Sequence, residues 1–414
     1  MTALEDPPQD RIPPPPILAR AAPAAVLAAL PGARAVGGAV RDALARLPVQ
    51  DVDIAAPLPP EAIVARLRAA GLKVFETGLA HGTVTAVLGG MPVEVTSLRR
   101  DVATDGRHAV VAWTTDWRED AARRDFTINA MSLSAEGWLW DYFGGRADLA
   151  AGRVRFVGDA PTRLREDYLR ALRFFRFQAR YGRGAPDPEA IAAICEAVPG
   201  LARLSAERVW AELKRLLEAP DPTEAVGLMA ETDVLGAVLP EAVPPQIEAL
   251  RRVLAAGLAK DPLLRTAVLL DPATAGTGAR IAARLRLSAE ERERLVWLHD
   301  RQASRPDVPK DPDPLARMRW LATRRDAQAA MDEAWLAEAR EGRDHAALRA
   351  WITATPVPRL PVFGRDAVAL GVPPGPEIGR LLQQVKAWWL EGGCIADREA
   401  CLARLRQLAA ARGV

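Results

Sequence analysis

The sequence is poor in the residues that build metal–thiolate clusters, disulfide frameworks and membrane spans. Of its 414 residues only three are cysteine, four are histidine and 5% are aromatic. The cysteines, Cys195, Cys394 and Cys401, have neither zinc-ligand spacing nor a disulfide framework, which is typical of the reducing cytoplasm. No apolar run reaches the ~18 residues of a membrane span, and arginine and proline interrupt the alanine-rich stretch 19–30, so it does not resemble a signal peptide. We therefore expect a cytoplasmic protein without a membrane anchor.

The sequence also lacks an excess of charge of either sign. Its 55 lysines and arginines nearly balance 53 aspartates and glutamates, which leaves a formal net charge of +2. Any affinity for nucleic acid must therefore come from local basic patches. Hydrophobic residues make up 49% of the chain, which is ample for buried cores. A chain of this length is expected to form about three domains of roughly 150 residues each.

Strand and helix patterns divide the chain into two parts. Short β-type runs recur between residues 33 and 141. Gly89-Gly90 predicts a hairpin turn between two of them, Thr83–Leu88 and Pro92–Thr96. Beyond Pro161 helical periodicity takes over, with proline-rich joints. The sequence predicts an α+β fold, in which a small mixed α/β head domain is followed by an elongated all-helical body and tail. We expect a flexible N-terminal lead-in (1–25), the head (26–150), a helical neck (151–220), a helical body (221–305) and a helical tail (306–414).

The most informative motif is a glycine pair followed by an Asp-x-Asp. Gly37 and Gly38, which open the segment Gly37–Asp42, let the backbone approach a phosphate because no Cβ stands in the way. Asp51 and Asp53 lie on one face of a strand, and such carboxylate pairs suit Mg²⁺. A lone glycine pair is usually a turn, and a lone Asp-x-Asp is usually a solvated loop or a helix cap. Joined within 17 residues, they indicate a nucleotide-handling enzyme that works by two-metal phosphoryl transfer.

A second motif, Arg123–Met131, combines a basic pair, an acid and an asparagine with apolar residues between them. Because arginine presents a rigid fork for phosphate oxygens, this set could contact a triphosphate and a ribose. The alternative is an ordinary helix start in which Asp125 or Thr127 is the cap.

A third motif, Arg165–Arg176, belongs to a basic region. Residues 163–183 contain seven arginines against two acids. Asp167, Arg170 and Arg173 are spaced at i, i+3 and i+6, which predicts that each neighbouring pair is adjacent on one side of a helix. The alternative is a solvated, salt-bridged helix face.

An aspartate and an arginine held together have a specific chemical use. Cytosine and adenine present an exocyclic amine beside an unprotonated ring nitrogen, whereas uracil and guanine present a carbonyl and an N–H. A carboxylate can accept from the amine while a guanidinium donates to the ring nitrogen, and both contacts become repulsive with the other two bases. The Asp167/Arg170 pair is therefore a candidate for the selection of C and A.

Together the three motifs resemble those of the class II tRNA nucleotidyltransferases, the CCA-adding enzymes, and of their bacterial poly(A) polymerase relatives. The segment Leu204–Lys214 is similar to a further helix of that family. The similarity covers about residues 30–220 and continues more weakly to the C-terminus.

The resemblance implies a role for each matching residue. Asp51 and Asp53 would be the catalytic residues that hold Mg²⁺, and Glu94 is a candidate third carboxylate. The resemblance also implies that seven further residues bind the nucleotide. Gly38 and Arg41 would contact phosphates, Arg124 the triphosphate or ribose, Asn129 the 2′-hydroxyl, and Asp167 and Arg170 the base edge, with Arg173 nearby.

Two segments bear on which family member this is. The polar loop 99–116 is similar to a flexible loop that CCA-adding enzymes keep and A-only enzymes tend to lack. The stretch 58–71 is nearly neutral, whereas poly(A) polymerases carry a basic insert after the acidic strand. The resemblance therefore implies template-free addition of C, C and A to the 3′ end of tRNA from CTP and ATP. The alternatives are a poly(A) or A-only polymerase and a non-catalytic RNA-binding relative.

Three remaining features have simpler interpretations. His81 is interpreted as a structural turn residue, and the pair His299-Asp300 as a helix-surface pair without the partners of an HD phosphohydrolase. The proline- and glycine-rich segment 362–380 resembles the family tail. A turn that enters a helix exposes N–H groups suited to an RNA phosphate, so we expect it to hold tRNA; a plain loop is the alternative.

Overall fold

The computed structural model describes residues 6–79, 82–104, 109–271, 274, 276–300, 308–309 and 313–411. The chain forms two compact units, Met1–Pro245 and Gln246–Val414. Within the described ranges, no helix is long and apolar enough to cross a membrane.

The first unit is built on an eight-stranded sheet of order β1-β10-β9-β2-β3-β6-β5-β4, beside a two-stranded sheet β7-β8. Within the large sheet β3 and β6 are parallel, and the other neighbours are antiparallel. The strands are β1 (Asp10–Arg11), β2 (Arg34–Val36), β3 (Asp53–Ala56), β4 (Lys73–Gly78), β5 (Thr83–Leu88), β6 (Met91–Ser97), β7 (Arg99–Thr104), β8 (Ala109–Trp113), β9 (Met131–Leu133) and β10 (Trp138–Asp141).

From α5 onward the described regular elements of this unit are helical. Its α-helices are α1 (Ala21–Ala29), α2 (Gly38–Leu44), α3 (Pro60–Ala69), α4 (Trp117–Ala122), α5 (Gly145–Ala151), α6 (Ala160–Glu166), α7 (Leu169–Tyr181), α8 (Pro188–Ala197), α9 (Ala206–Leu217), α10 (Thr223–Glu231) and α11 (Val234–Val238). Short 3₁₀ helices lie at Pro16–Ala19, Thr127–Asn129, Val198–Arg203 and Pro240–Ala242.

The regular elements described in the second unit are all helices. It contains α12 (Ile247–Ala255), α13 (Pro262–Leu269), α14 (Thr277–Arg284), α15 (Ala289–His299), α16 (Pro314–Ala322), α17 (Ala327–Glu341), α18 (Ala346–Ala354), α19 (Gly364–Ala369), α20 (Pro376–Glu391) and α21 (Arg398–Ala410). A mixed α/β head followed by a helical part is the predicted fold class, which is confirmed.

Alternating side chains explain the sheet. In β6, Val93 and Val95 are 1% and 0% exposed while Glu94 between them is exposed, because strand side chains alternate between faces. Helices α1 and α3 pack over β5 and β6. The predicted hairpin turn is confirmed: Gly89 and Gly90 have φ values of 57° and 80° and join the paired residues Leu88 and Met91.

The described part of the predicted flexible lead-in (1–25), from Asp6 onward, contains regular structure. Strand β1 extends the sheet by pairing with β10, and Nε1 of Trp140 donates to the carbonyl of Asp6 at 2.9 Å. Ile17 and Leu18 are buried, because the prolines before them start a 3₁₀ helix that turns both side chains into the core.

The segment 99–116 also differs from the predicted polar loop. Strands β7 and β8 pair from Arg99↔Trp113 to Thr104↔Ala109, so most of it is a β-hairpin. Its residues 105–108 and the turn residue His81 lie outside the described residues.

The interpretation of His299-Asp300 as a surface pair is wrong. His299 is 2% exposed; its Nδ1 lies 3.1 Å from Oδ1 of Asp300 and its Nε2 lies 3.0 Å from the carbonyl oxygen of Asp271. Asp300 accepts from the backbone N–H groups of Gly278 and Ala279 at the start of α14. The pair therefore ties α15 to α14, and both groups are satisfied internally.

Candidate active site

A tight turn between β2 and α2 forms one wall of the site. Gly37 has φ +65° and ψ −123°, a conformation that a residue with a Cβ rarely adopts, and α2 begins at Gly38. The first N–H groups of a helix have no partners within it, so this turn presents donors of the kind that phosphate groups bind.

The two predicted metal-binding carboxylates lie next to this turn. Asp53 opens β3 and pairs with Val36, the last residue of β2. Asp51 and Asp53 are exposed while Val52 between them is buried, so both acidic side chains lie away from the core. Both were predicted on one face of a strand, but only Asp53 lies in β3 and Asp51 precedes it.

Glu94 is brought to the same edge by strand pairing. It pairs with Asp53 in the parallel register of β3 and β6. The pKa of Asp53 is raised above its ordinary value, first by desolvation and then by the negative charge of Glu94; the positive charge of Arg124 opposes the shift, and Asp51 adds to it. A divalent cation would relieve this concentration of negative charge.

The donor set fits a magnesium ion held partly by its substrate. In the described residues no group of three or more histidine, cysteine, aspartate or glutamate side chains is placed to hold a metal ion, so Glu94 does not form a three-carboxylate site with Asp51 and Asp53 in this structure. Mg²⁺ is usually held by one or two carboxylates, with waters and substrate phosphates completing the shell. Asp51 and Asp53 match that requirement.

Arg124 lies on the open side of the glycine turn. Its Nη1 is 3.2 Å from the position that a Cβ on Gly37 would occupy and 3.5 Å from the carbonyl oxygen of Asn129. Its Nη2 donates to Asp120 at 3.3 Å. The guanidinium therefore places a positive charge next to the turn.

Arg41 and Asn129 join the first two motifs. Nη1 of Arg41 donates to Oδ1 of Asn129 at 2.6 Å, and its Nε donates to Asp42 at 2.9 Å. The guanidinium also packs 4.5 Å from the ring centre of Tyr181. Arg41 is only 9% exposed, and its Nη2 lies 3.5 Å from the Cβ position of Gly38.

Asp125 connects this network to the third motif. It accepts from Nδ2 of Asn129 at 2.9 Å and from Nε of Arg173 at 2.7 Å. Burial alone would raise the pKa of Asp125, but the charge of Arg173 and the hydrogen bonds hold it below its usual value. Arg173 is thus a partner of the second motif.

The predicted one-sided arrangement of Asp167, Arg170 and Arg173 on a helix is wrong for Asp167. Helix α6 ends at Glu166, and Asp167 has an extended backbone (φ −157°, ψ 106°) before α7 begins at Leu169. The chain changes direction here, which moves Asp167 out of the helical register.

The three side chains have separate partners. Asp167 accepts from Nη2 of Arg208 at 2.7 Å, and Arg170 donates to Glu166 at 2.5 Å and to the carbonyl oxygen of Arg123 at 3.3 Å. Sequence reasoning missed Arg208 and Glu166 as partners of this pair. The spacing Glu166 to Arg170 is i, i+4, so helix periodicity could have indicated the second contact.

Comparison with known proteins identifies the family. Residues 33–155 match the family model described as the poly A polymerase head domain, and residues 185–244 match the probable RNA and SrmB-binding site of polymerase A. The human "CCA tRNA nucleotidyltransferase 1, mitochondrial" is 35% identical over 384 residues, which cover 90% of this chain and 86% of the human protein. The chain belongs to the CCA tRNA nucleotidyltransferase family. The motif-based prediction is therefore confirmed.

Other members show the same relationship. The CCA-adding enzyme of Geobacillus stearothermophilus is 41% identical over 208 residues, about half of each chain. A crystal structure of the Bacillus stearothermophilus CCA-adding enzyme in complex with CTP superimposes with a TM-score of 0.74 at 28% identity and covers 92% of this chain and 94% of that one. A tRNA nucleotidyltransferase complexed with a primer tRNA and an incoming ATP analog shares the fold, with a TM-score of 0.59 at 23% identity over 78% of this chain and 93% of that one.

Proposed function

We propose that this chain adds C, C and A to the 3′ end of tRNA, without a template, from CTP and ATP, and releases pyrophosphate at each step. One observation carries the proposal. The glycine turn, Asp51, Asp53 and Arg124 lie together at one edge of the sheet. The CTP complex of the Bacillus stearothermophilus relative supports the choice of nucleotide.

In each step the primer 3′-hydroxyl attacks the α-phosphorus of the nucleotide. The bond between the α-phosphorus and the oxygen that bridges to the β-phosphate then breaks, and pyrophosphate leaves. Asp51 and Asp53 would hold Mg²⁺, and Glu94, which pairs with Asp53 from the neighbouring strand, adds negative charge beside them. When bound, the ion supplies charge stabilisation at the reacting phosphate and lowers the pKa of the attacking hydroxyl.

The other residues of the site bind and orient the nucleotide. Gly38 and the N–H groups of the turn are available to the phosphates, and Nη2 of Arg41 lies beside them. Arg124 contributes a positive charge next to the turn. Arg41 and Asp125 use the amide oxygen and one N–H of Asn129, so its second amide N–H would be the one to reach the ribose 2′-hydroxyl.

Base selection is assigned to Asp167 and Arg170, with Arg173 held nearby by Asp125. The base amine competes with Arg208 for Asp167, and the ring nitrogen competes with Glu166 for Arg170. A base that satisfies both groups replaces these partners, whereas U or G leaves charged groups unpaired, which is a strong basis for discrimination.

The domain division and the cellular location are also part of the proposal. We assign the head, neck, body and tail as the sequence predicts, with segment 362–380 of the tail as a tRNA contact. A cytoplasmic location is proposed, although several similar proteins are named as mitochondrial.

Labelled CTP and ATP supplied with tRNAs that end at the discriminator base, at C or at CC test the function. We expect two C and one A on the first, one C and one A on the second, and one A on the third. The match to the poly A polymerase head domain makes A-only addition the second candidate function. That function predicts that label enters the tRNAs from ATP and never from CTP. Absence of pyrophosphate release would instead favour a non-catalytic relative.

A further inference from the structure

A buried carboxylate lies between the hairpin β7–β8 and the candidate nucleotide site. Asp120, in α4, is 2% exposed. Its Oδ1 accepts hydrogen bonds from the backbone N–H of Arg99 at 3.2 Å and from Nε of Arg123 at 2.9 Å. Its Oδ2 accepts from Nη2 of Arg124 at 3.3 Å. Both oxygens are therefore used, by partners from two separate segments of the head.

The surroundings keep this group charged. Burial would raise the pKa of Asp120, but the charges of Arg124 and Arg123 and the hydrogen bonds from Arg123 and Arg99 hold it below its usual value. An ionised buried carboxylate is strongly attracted to its guanidinium partners, because little water screens the interaction.

The contact fixes the position of Arg124. A free arginine side chain samples many rotamers, and ordering it costs up to about 2 kcal/mol. In this structure the Asp120 contact holds Nη2, which leaves Nη1 next to Gly37. A group held in its binding position before the ligand arrives gains affinity, since less freedom is lost on binding.

The same carboxylate connects Arg124 to the hairpin. Arg99 is the first residue of β7, and its N–H donates to the oxygen that also accepts from Arg123. A displacement at the base of the hairpin therefore acts on the carboxylate that orients Arg124.

We propose that Asp120 is a positioning residue for nucleotide binding, which holds Arg124 at the glycine turn and couples it to the first residue of the hairpin. The proposal rests on the proposed function of this site in binding CTP and ATP. Asp120 itself contacts no substrate; it acts through Arg124.

Equilibrium binding of CTP to the full chain, without tRNA, tests the proposal. Asp120→Asn keeps the size of the side chain but removes its charge, so the Kd for CTP is expected to rise about tenfold. With saturating CTP, kcat should fall less than kcat/KM. In an Arg124→Gln background, adding Asp120→Asn should change the Kd by no more than about twofold, because the group through which Asp120 acts is already gone.

Asp116→Asn is the matched control. Asp116 caps the same helix, α4, by accepting from the N–H groups of Arg118 and Glu119, and no contact to Arg124 involves it in the described residues. Asparagine caps a helix about as well as aspartate, so this variant loses a charge at α4 and should keep both the stability and the Kd. Hydrogen exchange at the Arg99 amide should accelerate in Asp120→Asn and not in Asp116→Asn.

The outcomes separate the two proposals. Failure of the wild-type chain to bind CTP would contradict the proposed function. Normal CTP binding by the wild type, together with an unchanged Kd in Asp120→Asn, would overturn the positioning role alone. An equal rise in Kd in Asp116→Asn would also overturn it, since the effect would then follow the loss of any negative charge at α4 and not the contact to Arg124.

Discussion

Nη1 of Arg41 donates to Oδ1 of Asn129 at 2.6 Å, although the two residues are 88 positions apart in the chain. The bond joins the helix that follows the glycine turn to the segment that contains Arg124. Because Asn129 also donates to Asp125, one amide holds two ionised groups in place.

Replacement of this amide should destabilise the head. Asn129→Ala removes two hydrogen bonds to charged groups and leaves Arg41 and Asp125 without them, so we expect a loss of about 2–4 kcal/mol. Urea unfolding followed by circular dichroism measures it. Thr96→Ala, which removes one hydrogen bond between two neutral hydroxyls, Thr83 and Thr96, is the control and should lose less; an equal loss would contradict the role of Asn129.

The glycine turn provides a matched pair of variants. Gly37 and Gly71 both have positive φ, +65° and +81°, so alanine at either position costs about 1–2 kcal/mol. Only at Gly37 would the new Cβ lie 3.2 Å from Nη1 of Arg124, whereas Gly71 has nothing within 4 Å. We expect Gly37→Ala to raise the KM for CTP and Gly71→Ala to leave it unchanged. Equal KM values in both would show that Arg124 does not need its place at the turn.

Base choice should depend on Asp167 and Arg170. Asp167→Ala or Arg170→Ala removes one half of the complementary pair, so the preference for CTP over UTP should shrink by about tenfold or more. The ratio of kcat/KM for the two nucleotides measures this. Arg165→Ala, on the same basic segment and bonded to Thr162, is the control. An unchanged ratio of kcat/KM in Asp167→Ala and Arg170→Ala would mean that these two residues have only a structural role.

The Asp125–Arg173 pair should make stability depend on acid pH. The pKa of Asp125 is lowered in the folded chain, so its contribution is fully present above its unfolded value of about 3.9 and is lost as the pH falls through the lower folded value. Asp125→Asn should be less stable at neutral pH and lose less stability below about pH 4. Urea unfolding at a series of pH values measures the free energy of unfolding of both proteins. Parallel pH profiles of that free energy in the wild type and Asp125→Asn would contradict this prediction.

Local patterns were enough to predict central strands of the large sheet and to propose its catalytic edge. The run Thr83–Leu88 has the bounds of β5, and Gly89-Gly90 forms the turn that follows it. Asp51 and Asp53 could be found because a glycine turn and an acidic strand are close in sequence. These features depend on residues within one or two elements, which is where periodicity and turn chemistry act.

Contacts between distant segments could not be predicted from the same patterns. The bond from Arg208 to Asp167 spans 41 positions, and the extended backbone at Asp167 interrupts the helical register on which the i, i+3 argument depended. Asp120 was also missed, although it lies four residues before Arg124. The i, i+4 spacing of Asp120 and Arg124 is compatible with a contact along a helix. It does not reveal that the carboxylate is buried or that the first residue of the hairpin donates to it.

The most direct test of the catalytic assignment is incorporation of labelled CMP into tRNA that lacks its CCA end, by wild type, Asp53→Asn and the surface control Glu61→Gln. We predict that Asp53→Asn binds tRNA and CTP but releases no pyrophosphate, while Glu61→Gln, in the first turn of α3, matches the wild type. Normal CMP incorporation by Asp53→Asn would contradict the assignment of this edge of the sheet as the active site.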